Sequence, residues 1–104
     1  MTGKEFVQLV KQDKDEVMDI YFSDEETEVG LIIERLVEDG ASIEDIRSLV
    51  NTIMNESCYR MLLAIEGEAS LGSVQQSYRL YDEDGNELTG SGEIETEAFD
   101  SFIE

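Results

Sequence analysis

The residues from Asp82 to Glu93 hold the one spacing in this chain that matches a ligand pattern. A helix–loop–helix calcium loop takes oxygen ligands at its first, third, fifth and twelfth positions and bends on a glycine at the sixth. Counted from Asp82, those four positions are Asp82, Asp84, Asn86 and Glu93. The sixth position, however, is Glu87, the glycine stands early at Gly85, and the normally apolar eighth position is Thr89. "SYRLY" ahead of the loop alternates as a strand does, where the calcium loop requires a helix. A hairpin accounts for more of these residues. Asp is favoured first and Gly fourth in a type I turn. A loop of Glu83, Asp84 and left-handed Gly85 pairs Asp82 with Asn86 and sets Leu80 opposite Leu88. The same register continues to Tyr78 with Gly90 and Val74 with Ile94, whereas a two-residue turn pairing Tyr81 with Leu88 splits the apolar face. We therefore read a β-hairpin over residues 74–94. That leaves Asp82, Asp84, Asn86 and Glu93 as a loose cation site at most, and no metal or other cofactor is assigned.

Other chemistry lacks its parts. The chain has no histidine, so the commonest general base and the Ser-His and Cys-His pairs are missing. The lone cysteine, Cys58, sits beside an apolar run and reads as a small buried hydrophobe. No phosphate-cradling glycine motif is present, and Gly90-Ser91-Gly92 is too short to count as one. Among 26 acids some pair always stands at a glycosidase-like separation. Glu66 and Glu68 are the two whose burial decides the matter. No enzyme is expected.

Charge points elsewhere. Twenty-six acids against seven bases give −19, and after Arg79 nine acids follow with no base. Such a field repels nucleic acid and anionic membranes and hastens encounter with a basic protein. Tyr81 with Asp82, Glu83, Asp84 and Glu87 makes an aromatic anchor ringed by acids, suited to such a partner. Tyr81 packed over a neighbouring helix is the equal alternative. The expectation is a non-catalytic acidic protein-binding module, of which an inhibitor or immunity-type protein is one form. A cation-binding domain and a structural subunit are the alternatives. The single cysteine, the absence of a basic and apolar leader, and apolar runs too short for a bilayer lead us to expect a cytoplasmic protein.

The elements that must position these residues read as one α+β domain over residues 1–104, with three or four amphipathic helices packed on the hairpin. Residues 1–66 are mainly helical. Thr2 and Glu5 form a capping-box pattern before Phe6, Val7, Leu9 and Val10. The apolar stripe lapses over residues 11–16, where an apolar residue is due at 13 or 14, and we expect a break there. Ser23 with Glu26 should cap the next helix, whose Val29, Ile32, Ile33, Leu36 and Val37 share one face. Gly40 stops it, and Ser42 with Asp45 opens another, packed antiparallel. Residues 57–66 fit a helix or a central strand by period, and their Met, Leu and Ala content favours helix. Thr96 should cap a short helix over 96–103 that turns Phe99, Phe102 and Ile103 inward.

Overall fold

The computed structural model describes residues 1–104, and it begins with the capping box intact. The Thr2 hydroxyl accepts from the Glu5 amide at 3.1 Å, and the Glu5 carboxylate accepts from the Thr2 amide at 3.0 Å. The helix so started, α1 (Gly3–Tyr21), runs unbroken for 19 residues. The expected break at 11–16 is absent. Lys11 donates to Asp15 at 2.7 Å and Gln12 to Glu16 at 2.9 Å, two pairs that carry the helix through the polar stretch. Lys14 stands where the apolar residue was due. It is buried, with its ammonium donating to Asn51 Oδ1 and, at 3.4 Å, to Asp15.

Ser23 closes α1 instead of opening α2: its hydroxyl donates to the Ile20 carbonyl at 2.7 Å and accepts from the Glu25 amide at 3.1 Å. The cap of α2 (Glu28–Glu38) is Thr27, which accepts from the Gly30 amide at 2.9 Å. Ser42 caps α3 (Ile43–Glu66) by accepting from the Asp45 amide at 3.3 Å. Residues 57–66 are helix, and α3 ends on left-handed Gly67 (φ 85°). The Glu68 amide then reaches the Leu63 carbonyl at 2.9 Å, which completes a Schellman motif. The last helix, α4 (Glu93–Phe102), starts at Gly92 and not at Thr96, so it takes in Ile94. Of the tail's large apolar residues only Phe102 is buried, while Phe99 and Ile103 stay half-exposed. Phe99 meets Tyr59 edge to face at 6.4 Å.

The fold is therefore all-helical, and the expected α+β class with a hairpin over 74–94 is overturned. The turn at its tip does form: Gly85 is left-handed (φ 84°), the Asp82 amide donates to the Asn86 carbonyl, and the Leu88 amide to the Leu80 carbonyl. No ladder follows from it. Tyr81 and Glu87 make an isolated bridge, and Val74 pairs with Leu71 across Gly72 and Ser73, not with Ile94. Three competing partners explain the loss. The Leu80 amide goes to the Thr89 hydroxyl at 3.2 Å, the Gly90 and Gly92 amides go to the Glu66 carboxylate, and Ile94 is claimed by α4. With Gly90 (φ 92°) and Gly92 (φ 84°) both left-handed, the backbone cannot hold an extended strand there.

The core lies at one end of the molecule. Val7 from α1, Leu62 from α3, Ile94, Ala98 and Phe102 from α4, and Leu88 from the connection form it. Gly3 lets the chain close on this core, since a Cβ there would stand 2.6 Å from the Leu88 carbonyl oxygen. At the other end α2 packs on α3 and meets the last residue of α1 at Gly30, and α2 and α3 each bury one residue there, Ile33 and Ile46. The molecule measures 48 × 29 × 23 Å with a radius of gyration of 16.3 Å. A compact domain of this size has a radius near 13 Å, so the end built from α2, the first half of α3 and the last turns of α1 projects as an arm.

Candidate functional site

Asp82, the first residue of the expected ligand set, is already fully engaged. Its Oδ1 accepts from the amides of Asp84 (3.0 Å) and Asn86 (2.9 Å), and its Oδ2 from Asn86 Nδ2 (3.0 Å) and the Met1 ammonium (2.9 Å). These bonds, that of the Asn86 side chain foremost, hold its carboxyl far below the usual carboxylate range. The carboxylate is the peg of the turn, with its oxygens facing protein donors. Asp84 and Asn86 are exposed, Glu93 lies in the first turn of α4, and no three of these groups converge to hold an ion. Of the expected partner-facing residues, Tyr81 is 52% exposed and Glu83, Asp84 and Glu87 are exposed around the same turn. The alternative that Tyr81 lies covered by a helix does not hold. Asp82 belongs with the turn's framework and not with its outer surface.

Glu66 and Glu68 do not pair. Glu68 is exposed, whereas Glu66 turns one oxygen to the start of α4. Its Oε1 accepts from the Gly90 amide at 2.9 Å and the Gly92 amide at 3.2 Å. Gly92 has no side chain with which to cap its own helix; Glu66, 26 residues away, accepts from the Gly92 amide itself, while the Ser91 hydroxyl accepts from the Glu93 amide at 3.3 Å. A negative charge there also suits the positive end of the helix dipole. Its Oε2 is buried without a partner. Cys58 is partly buried, and loss of solvent pushes its thiol up, away from the reactive thiolate.

The surface that stands out is apolar. On α2, Leu31, Ile32, Leu36 and Val37 are each 40% exposed or more, and of the five residues expected to share one face only Ile33 is buried. Beside them Ile43, Leu49 and Ile53 on α3 are exposed, Leu49 at 61%. Residues 22–56, which carry them, hold ten acids and two bases. One of those bases, Arg47, lies over the Phe22 ring at 4.3 Å.

The sequence pattern had placed Val29, Ile32, Ile33, Leu36 and Val37 on one face without saying what covers it. Lys14 and Glu66 were missed as structural polar groups. The first was signalled by a gap in the apolar stripe, the second only by a helix whose N-cap is glycine. No helix is long and apolar enough to cross a membrane. Compared with models of protein families, with curated proteins and with solved structures, the chain matches none.

Proposed function

We propose that this chain is a non-catalytic protein-binding module whose partner is a basic protein. The observation that carries the reading is the arm, where large apolar residues stand exposed on two adjoining helices within a strongly acidic stretch. Binding surfaces combine apolar anchors with a charged rim, and the rim sets which partner is admitted. A second copy of this chain would bring ten acids against ten, so charge favours a basic partner over self-pairing. The acidic turn around Tyr81 adds a second surface of the same character. An inhibitor that covers the basic active site of a toxin or nuclease is one concrete form. The absence of histidine, the raised thiol of Cys58 and the separation of Glu66 from Glu68 agree with a role that needs no catalytic group. Capture from native lysate on immobilised protein, beside beads bearing polyglutamate, tests the reading. A basic protein retained at low salt on the protein beads alone, and weakened at high salt, supports it. Retention of nothing beyond the polyglutamate background at either salt overturns it.

A further inference from the structure

A cleft of about 440 Å³ opens where the end of α1 meets α2 and the start of α3. Tyr21, Phe22, Ile33, Val37 and Ile43 supply its apolar lining. Glu34 and Glu38, one helical turn apart on α2, add two carboxylates to the same walls. Gly30 keeps α2 close to the end of α1 here: a Cβ would stand 2.9 Å from Thr27 Oγ1 and 3.5 Å from the Tyr21 carbonyl oxygen. The cleft is thus held by the caps that end α1 and begin α2. Its volume exceeds that of any single side chain, and Val37 and Ile43, both part of the lining, remain about two-fifths exposed.

Resting on the reading above, we propose that this cleft is where the basic partner docks, through an amphipathic helix. The helix sets one apolar side chain among Phe22, Val37 and Ile43. Its Lys or Arg residues, a turn before or after, meet Glu34 and Glu38. Helix-in-groove recognition uses this combination of an apolar anchor and flanking charge. The charge selects the occupant. Arg47 is committed to the Phe22 ring, which leaves Arg35 as the one uncommitted base in residues 22–56, so neither an acidic segment nor a second copy is matched by this rim.

The test uses two labelled Leu–Lys peptides of about 18 residues and identical composition, long enough for five helical turns. In one the leucines recur at i, i+3 and i+4; in the other the order is scrambled so that no apolar face forms. Fluorescence anisotropy should show the patterned peptide binding about tenfold or more tightly than the scrambled one, the size of a single anchor contact. Val37→Asp should abolish that preference while leaving the weak scrambled binding as it was. Glu34→Lys with Glu38→Lys should weaken both peptides and flatten the salt dependence. Circular dichroism confirms that the variants fold, and the charge-reversed pair serves as the second variant if Val37→Asp does not. Equal binding of both peptides, or a preference that survives Val37→Asp, overturns the cleft as the docking site. So does a dimer of the wild type at about 0.15 M salt, where its charge is not yet fully screened, that is seen by sedimentation and separated by Val37→Asp. A lysate protein captured equally by wild type and Val37→Asp would reject the cleft yet leave the basic-partner reading standing. Capture of nothing by the wild type would reject both.

Discussion

Glu66 should fasten the end of α3 to the start of α4, and removing its carboxylate measures by how much. Glu66→Ala deletes the acceptor of two amide donors at 2.9 and 3.2 Å and the negative charge at the start of α4. Hydrogen bonds to a charged group contribute about 1.5–3 kcal/mol each where buried, and less where water can replace the lost partner. The Gly90 amide belongs to an exposed residue and Gly92 to a half-buried one, so water recovers much of the loss. Removal of the unpartnered Oε2 recovers a little more. The net cost is about 2 kcal/mol, equivalent to a fall in Tm of roughly 8–16 °C for a domain of this size. Glu66→Gln keeps a carbonyl oxygen for the same donors but loses the charge and sets an NH2 group where the unpartnered Oε2 stood, so it should cost about 1–2 kcal/mol, the helix-dipole value plus part of a desolvated donor. Thermal and urea melts followed by far-UV circular dichroism give both numbers. Amide exchange adds a local readout, since the Gly92 and α4 amides should lose protection in Glu66→Ala before those of α1. A Glu66→Ala melt within about 2 °C of the wild type would refute the cap.

Four further outcomes are expected. Gly3→Ala should cost about 1–3 kcal/mol in urea melts, because the new methyl meets the Leu88 carbonyl oxygen at 2.6 Å and the backbone must shift; a neutral Gly3→Ala would mean the closure there is loose. Lys14→Met should stay within about 1 kcal/mol of the wild type, since a matched apolar stem replaces a buried cation that was expensive to desolvate, and a loss above about 3 kcal/mol would show that the bond to Asn51 outweighs desolvation. The carboxyl of Asp82 is depressed in the folded state, so its contribution is present above its unfolded pKa near 3.9 and is lost as pH falls through the lower folded value. The stability gap between wild type and Asp82→Ala should therefore stay level from about pH 7 to 5 and narrow in strong acid, where a gap unchanged at pH 2 would contradict the assignment. Near 1 M salt, where the screening length drops to about 3 Å, the acidic arm should self-associate in sedimentation runs, and a strict monomer there would mean that charge is not what keeps its apolar residues apart.

Local signals were read well and long-range competition was not. Thr2 with Glu5, Ser42 with Asp45 and Gly67 act within one helical turn, and each sits where its chemistry placed it. Residues 57–66, ambiguous by period, are helix because α3 continues to its glycine stop. The hairpin failed for a reason invisible to period-two counting. Its turn is present, but the Thr89 hydroxyl takes the Leu80 amide of the first strand, Glu66 takes the Gly90 and Gly92 amides of the second, and α4 takes Ile94. The break in α1 failed similarly, because a lysine with a polar partner on another helix can occupy an apolar position. At the acidic turn the type I chemistry was legible from Asp82 and Gly85, while the use of the Asp82 carboxylate inside the turn depends on Asn86 and Met1 folding around it.

The apolar face of α2 carries the deepest lesson, because period alone says which residues share a side of a helix and nothing about what covers that side. Val29, Ile32, Ile33, Leu36 and Val37 would normally be assigned to a core. Here the core is completed at the far end by α4, which fills the space between α1 and α3, and α2 is left with α3 and the last turn of α1. An apolar stripe with no intramolecular cover is a liability in solution unless something opposes association. Ten acids in residues 22–56 supply that opposition, and the same charge that keeps two copies apart draws a basic surface in. The acidity and the unfinished burial are thus two parts of one arrangement: an arm kept uncovered by repulsion until a partner of opposite charge supplies the missing face.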